Sequence, residues 1–277
     1  MNMLSVFLSR LFTETHTVLI SVQSTRGSVP REVGAWMAVF SNGVIGTIGG
    51  GRLEWDAIHH AQAMLLQASQ EPLETRTGVQ QVLYRLGPSL GQCCGGEVQL
   101  QFEHAQAADA GALRTRLTPV QPGVALFGGG HVGHALVQVL STLAMPIHWI
   151  DSRDEVFPAE VADTVHCEHS DPVQAAVPTL ASGSRVLIMS FSHAEDLDIV
   201  MACLLRQRLH GDLPYVGLIG SKTKWATFHA RLKARGFTEQ EMDQVTCPIG
   251  LPGMADKRPE AIAVAVAAQL LLLQKQA

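Results

Sequence analysis

This chain is short of aromatics, of charge, of cysteine and of long apolar runs. Aromatic residues make up 5% of its 277 positions, with only two tyrosines, and charged residues 16%. Hydrophobic residues reach 47%, enough to bury the core of one large domain or two ordinary ones. Basic residues number 20 against 25 acidic, a net charge of -5. A general nucleic-acid binder needs a basic face to neutralise phosphates, so no nucleic-acid partner is expected. The apolar stretch AIAVAVAAQLLLL has 13 residues, short of the roughly 20 that span a bilayer, and reads as a buried helix. The start, MNMLSVFLSRLF, has no basic lead and is interrupted by Arg10, unlike a secretory signal. A cytoplasmic protein with no membrane partner is expected. The five cysteines, Cys93, Cys94, Cys167, Cys203 and Cys247, show no paired spacing, which excludes a secreted disulfide framework. Neighbours in sequence bridge only with strain, so Cys93 and Cys94 are expected to be thiols.

Apolar and β-branched runs at 18–25 and 35–40, separated by RGSVPREVG, read as strands joined by a loop. GVIGTIGG follows the turn pair Ser41-Asn42 and suggests a hairpin. From Arg52 to about Ser69 the spacing turns helical, with Leu53, Ala57, Ala61, Met64 and Leu65 on one face. QQVLYRL and EVQLQFE are two more strands, with the cysteine loop between them. Residues 104–122, Ala-rich and polar and ending in LTPVQPG, read as a linker. The expected domains are 1–118 and 119–277. After the linker, strand-like and helix-like stretches alternate. Ser192 with Glu195, and Thr238 with Glu241, carry capping-box spacing. Arg206 and Arg208 before Gly211 suit a helix end. The expected class is α/β: a C-terminal Rossmann-like parallel sheet with helices on both faces, and a smaller N-terminal α/β domain.

ALFGGGHVG places Gly128, Gly130 and Gly133 in G-x-G-x-x-G spacing between a strand and a helix, and Asp151 closes the next strand. Such glycines let backbone approach a phosphate at a helix start, and the acid reads a ribose. A dinucleotide, another ligand or none remain open. His131 and His134 stand beside the turn. In GLIGSKTK, Gly220 and Ser221 offer backbone N–H groups, and Lys222 and Lys224 add charge for an anion. Gly49, Gly50 and Gly51 open the first helix next to Arg52; three consecutive glycines lose much entropy on ordering, and close approach of a ligand or of backbone accounts for them better than packing. Arg26, Ser28 and Arg31 share a neighbouring loop. The loop LGQCCGGEV does not have the separated ligand pairs of zinc sites. A thiolate there suits a polarisable metal or sulfur transfer; buried inert thiols are the alternative. HCEH at 166–169 reads as an incidental loop, and Trp225 with Phe228 as core.

Taken in order, RGSVPREVGAWM, GTIGGGRLEW, LGQCCGGEV, FGGGHVGHAL, WIDSR, GLIGSKTK and CPIGLPG with KRPEAIAVAVAAQ closely resemble the XdhC/CoxI family of molybdoenzyme accessory proteins. The likeness covers nearly the whole chain. It resembles the XdhC branch more, since the CoxI loop often carries cysteine where this chain has Arg52. The resemblance implies a non-enzymatic chaperone that binds molybdenum cofactor in its molybdopterin form. It implies sulfuration by a cysteine desulfurase and delivery to apo-xanthine dehydrogenase, with cofactor biosynthesis proteins upstream and a homodimer as the assembly. Cys94, matching the C-G-G element, would contact or protect molybdenum, with Cys93 beside it. The glycine loops, Arg52 and the GSK turn would meet the pterin phosphate. The rival reading is an NAD(P)-dependent oxidoreductase, for which His193 is the one acid–base candidate. A third is an adaptor with no ligand.

Overall fold

The computed structural model describes residues 3–14, 16–70, 78–87, 95–118 and 122–273. Two compact units divide the chain, Met1–Pro119 and Val120–Ala277.

The first unit runs α1 (Met3–Arg10), β1 (Thr17–Arg26), β2 (Trp36–Phe40), β3 (Gly43–Gly46), α2 (Gly51–Gln70), β4 (Gln80–Arg85), β5 (Glu97–Ala105) and α3 (Ala110–Leu117). Its antiparallel sheet has the order β3-β2-β1-β5-β4. Ile20 sits opposite Met37 on one side and Phe102 on the other. These residues, with Val18, Val22, Val39 and Leu100, pack under Leu53, Ala57, Ala61 and Met64 of α2. The helical spacing of that stripe therefore matches the two-residue period of the strands beneath it. Leu19, Ala38 and Phe40 point to the opposite face, where Leu4, Phe7 and Leu8 of α1 and Leu113 of α3 cover them. Covering both faces explains why β1 starts with six buried residues in a row. One expectation needs correction. Residues 104–118 are no linker: Ala105 closes β5, and the Ala-rich stretch folds as α3, which buries Leu113. The apolar start is the helix α1, whose Phe7 is fully buried, a burial worth about 1.5–3 kcal/mol.

The second unit runs β6 (Val124–Phe127), α4 (His131–Thr142), β7 (Ile147–Asp151), β8 (Val165–His169), β9 (Arg185–Ile188), α5 (His193–His210), β10 (Tyr215–Leu218), α6 (Lys222–Ala234), α7 (Glu239–Met242), β11 (Val245–Thr246) and α8 (Pro259–Leu273). Its six strands lie in the order β11-β10-β9-β6-β7-β8, and every pairing is parallel. The α/β class with helices on both faces is therefore met. α4 and α8 supply the core of one face, and α5, α6 and the 3-10 segment Val173–Thr179 that of the other. Strand order reverses between β6 and β9, which opens a crevice at their carboxyl ends, where ligands of such sheets bind.

HCEH is not a loop but the edge strand β8, with Cys167 beside Trp149 in the register. Arg206 does more than complement a helix end. Its buried guanidinium donates to the carbonyls of Val177 (2.7 Å) and Leu180 (2.8 Å) and pairs with Asp212 (2.7 Å), so it holds the 3-10 segment against α5. Ser192 accepts from the Glu195 N–H, but the Glu195 carboxylate turns away to Ser152, so the expected box is half formed. At Thr238 and Glu241 the box is complete.

Candidate functional site

The glycine turn after β6 is built by three glycines with three different needs. Gly128 has φ +124°, and a Cβ there would lie 2.0 Å from the Met189 carbonyl oxygen. A Cβ on Gly133 would lie 2.1 Å from the Gly128 oxygen, so helix α4 reaches the turn only without a side chain. Gly130 differs: its φ is -81° and an added Cβ meets nothing within 4 Å. It is the N-cap of α4, and its exposed surroundings leave the first N–H groups of the helix facing open space. His131, the first helical residue, is exposed. His134 lies edge-on to Trp149, with ring centroids 4.8 Å apart. Trp149 donates from Nε1 to the Gly128 oxygen at 3.0 Å, fixing the turn from below. In the sequence this tryptophan stood only as the first residue of WIDSR, with no role given to it.

Asp151 ends β7 as expected, but its carboxylate is already engaged. Oδ2 accepts from the Gly129 N–H at 2.6 Å and from Arg153 Nη2 at 3.0 Å; Oδ1 accepts from the Arg153 N–H and Nε, both at 2.9 Å. Burial alone would raise its pKa, but the Arg153 guanidinium and the two N–H groups hold it below the usual carboxylate value. Four donors saturate a carboxylate. The expectation that Asp151 stands ready to accept from a ribose is thereby corrected: it anchors the glycine turn instead. Arg153 lies over the exposed Phe191 ring at 4.5 Å and keeps three N–H donors beyond its pair with Asp151. In the sequence it stood only as the last residue of WIDSR, with no role given to it.

The two lysines of the GSK turn part ways. Ser221 caps α6 by accepting from the Lys224 N–H at 3.2 Å. Lys222, at the first helical position, is exposed, as the anion reading needs, and Gly220 is half-buried behind it. Lys224 turns inward. Its Nζ donates to Asp196 Oδ2 at 2.5 Å and to the Ile219 oxygen at 2.8 Å. Asp196 is buried and also accepts from the N–H and hydroxyl of Ser190, both at 2.8 Å. This interior pair ties the carboxyl ends of β9 and β10 to the starts of α5 and α6.

In the first unit the three glycines Gly49, Gly50 and Gly51 have φ of +120°, +75° and +66°. The concavity they form is filled from within. Glu54 Oε2 accepts from the Ile48 N–H (2.9 Å), the Gly50 N–H (3.1 Å) and the Thr47 hydroxyl (2.5 Å). An internal carboxylate thus takes the place expected for an anionic ligand. Arg52 is drawn away as well: it pairs with Asp56 at 3.0 Å and lies 4.3 Å over the Trp55 ring. Burial pushes Glu54 up, but the Thr47 hydroxyl and the N–H groups of Gly50, Ile48 and Gly49 outweigh it and hold the pKa below its ordinary 4.5. A lowered carboxylate pKa stabilises the fold fully above the ordinary value and ceases to do so as pH falls through the folded one. Protection of the Ile48 and Gly50 amides from hydrogen exchange, corrected for intrinsic rates, should therefore be constant above pH 4.5 and fall below it. Glu54→Gln should lower that protection about tenfold at neutral pH and flatten its pH dependence; an unchanged profile would mean that Glu54 does not hold the loop.

The reason for these glycines is close backbone approach. A Cβ on Gly49 would lie 2.5 Å from Pro30, and one on Gly96 would lie 2.5 Å from the Ser28 oxygen and 2.6 Å from that of Arg26. The loop after β1, the loop before α2 and the Gly95-Gly96 stem of β5 therefore meet at one end of the sheet. Arg26 and Ser28 are exposed there, and Arg26 has no ion pair among the described residues. Cys93 and Cys94, singled out from the sequence, lie outside the described residues. Of the others, Cys203 is fully buried and its thiol is pushed up to about 12 by that burial. Among the described residues no three His, Cys, Asp or Glu side chains are grouped to hold a metal, and no helix is long and apolar enough to cross a membrane.

Comparison with known proteins gives a family and a fold. Residues 124–270 match the XdhC Rossmann domain, and residues 13–76 match the XdhC and CoxI family. The chain is 23% identical over 260 residues to the uncharacterized protein YqeB of Escherichia coli K12, a match over 94% of this chain. It spans 44% of the length of that relative. A crystal structure titled as a xanthine dehydrogenase from Bacillus halodurans aligns over 100% of this chain and 96% of its own, with a TM-score of 0.75 and 19% identity. That likeness is one of fold.

Proposed function

Because the chain belongs to the XdhC and CoxI family, we propose that it is an accessory protein of xanthine dehydrogenase that carries molybdenum cofactor as cargo. In this reading it shields the cofactor, holds it while a cysteine desulfurase exchanges a molybdenum oxo ligand for sulfur, and passes it to the apo-enzyme. Cofactor biosynthesis proteins would load it, and a homodimer would be the working assembly.

The observation that carries the reading is the meeting of three loops in the first unit. Gly96 lies on the backbone of Arg26 and Ser28, and Gly49 lies on Pro30, so the Gly95-Gly96 stem adjoins an exposed arginine that has no ion pair among the described residues. A soft thiolate suits a polarisable metal, and a cation suits the anionic pterin that would carry it. Cys94 is the proposed contact, with Cys93 beside it. Arg26 and Ser28, rather than Arg52 or the filled glycine concavity, are the polar groups proposed, from among the described residues, to receive the cargo. The dehydrogenase reading is weaker, since the carboxylate that would read a nicotinamide cofactor's ribose is saturated by Gly129 and Arg153. A dinucleotide at the glycine turn would have to be held by the first turn of α4 and by Arg153.

The test is retention of cargo. Purified protein is mixed anaerobically with molybdenum cofactor and desalted, and molybdenum and pterin are measured in the protein fraction. Near-equimolar retention, lowered severalfold by Cys94→Ala or Arg26→Ala, is expected. Retention in neither the parent nor the variants, with NAD(P) bound instead, would overturn the proposal in favour of an oxidoreductase.

A further inference from the structure

A second cleft in the Rossmann unit lies apart from the glycine turn, at the carboxyl ends of β10 and β11. Its volume is about 580 Å³, within the range of small-molecule sites. Ile219, Ile249, Leu251 and Ile262 form its half-buried apolar floor. The far wall is held in place by Gln269 of α8, whose Oε1 accepts from the Gly250 N–H and the Tyr215 hydroxyl, both at 2.8 Å. The concavity is therefore built by the core rather than by loose loops.

Its charge is one-sided. Lys222, at the start of α6, and Lys257, two residues before the start of α8, both line the cleft and are exposed. Neither has an ion pair among the described residues. The single acid in the lining, Asp256, is already matched by Arg258 at 2.7 Å. The starts of two long helices add positive potential on the same side. Two cations with nothing to neutralise them, above an apolar floor, select a ligand that is anionic at one end and flat and uncharged at the other. Met254, half exposed at the rim, offers a polarisable thioether to a ring face.

We infer that this cleft binds the phosphate monoester of a planar heterocycle, the phosphate on Lys222 and Lys257 and the ring on the isoleucine floor. The chemistry is shared by a free mononucleotide and by the phosphate-bearing pterin of the proposed cargo. The inference does not rest on the carrier reading: each can fail while the other stands.

Guanosine 5′-monophosphate is a suitable probe, titrated calorimetrically into the full chain, with guanosine and inorganic phosphate in parallel. The nucleotide is expected to bind at least tenfold more tightly than either part. The double variant Lys222→Ala/Lys257→Ala is expected to weaken it at least tenfold with no change in Tm, since both side chains are exposed. Gly130→Asp serves to close the other candidate site. A side chain fits there, aspartate is a favoured N-cap, and its carboxylate would occupy the first N–H groups of α4. Binding that survives Gly130→Asp and falls in the lysine variant supports the cleft. Binding lost in Gly130→Asp, unchanged in the lysine variant, or absent for the nucleotide and for molybdopterin alike overturns it. Displacement of the nucleotide by molybdopterin would make the pterin the cleft's ligand; no displacement would leave it to free nucleotides.

Discussion

Replacing Asp196 with alanine is expected to destabilise the second unit by about 3–5 kcal/mol, the cost of leaving a buried charge without its partner. The side chains of Asp196 and Lys224 are 3% and 10% exposed. Removal of the carboxylate strands the Lys224 ammonium among the carboxyl ends of β9 and β10 and leaves the Ser190 N–H without its acceptor. Adding Lys224→Met to Asp196→Ala should recover much of the loss, because an apolar side chain of similar length removes the unpaired charge. Hydrogen exchange of the β9 and β10 amides across a urea series reads this unit separately from the first. A single-variant loss below about 1 kcal/mol, the worth of an exposed pair, would show that water reaches this pair.

The second large effect is expected at Gly128. Alanine there must accept a φ of +124° and a methyl 2.0 Å from the Met189 oxygen. Strain in that region and overpacking each cost about 1–3 kcal/mol, so a total loss of about 3 kcal/mol or more is expected. Gly133→Ala should approach it, since its methyl would press on the Gly128 oxygen at 2.1 Å. Gly130→Ala should move stability by well under 1 kcal/mol, as its φ is ordinary and its surroundings open. Thermal unfolding of the three variants gives the ranking directly. Similar losses at all three would mean that the turn is not built as described.

Where one periodicity governs a segment, the sequence already shows the fold. The α2 stripe and the alternation of apolar strands with capped helices point directly to the two sheets. Segments governed by neighbours do not show it. HCEH becomes a strand because β7 offers it an edge, and the alanines of α3 carry too weak an apolar pattern to separate helix from linker. The site divides the same way. Gly128, Gly130 and Gly133 stand out by spacing, but spacing does not say which donors are already spent. Glu54 fills the glycine concavity, Arg153 saturates Asp151, and Lys224 turns inward while Lys222 stays out, each through a contact that only folding brings about. Arg52 and Asp151 were legible as charged groups near glycines, not as groups whose charge is answered locally.

Strand order also bears on how the chain assembles as it is made from its amino end. In the second unit β6 comes first and lies in the middle. β7 then joins one side of it and β8 joins β7; β9 takes the other side, followed by β10 and β11. Each newcomer finds a free edge already waiting, and no finished pairing has to part. The first unit lacks this convenience. β4 lies beyond β5 and, among the described residues, pairs with no other strand of its sheet, so it has nothing to pair with until β5 has been made. The β4–β5 pairing is thus among the last in its sheet able to form, and the sequence between those strands, with Cys93 and Cys94, leaves the ribosome before β5 does.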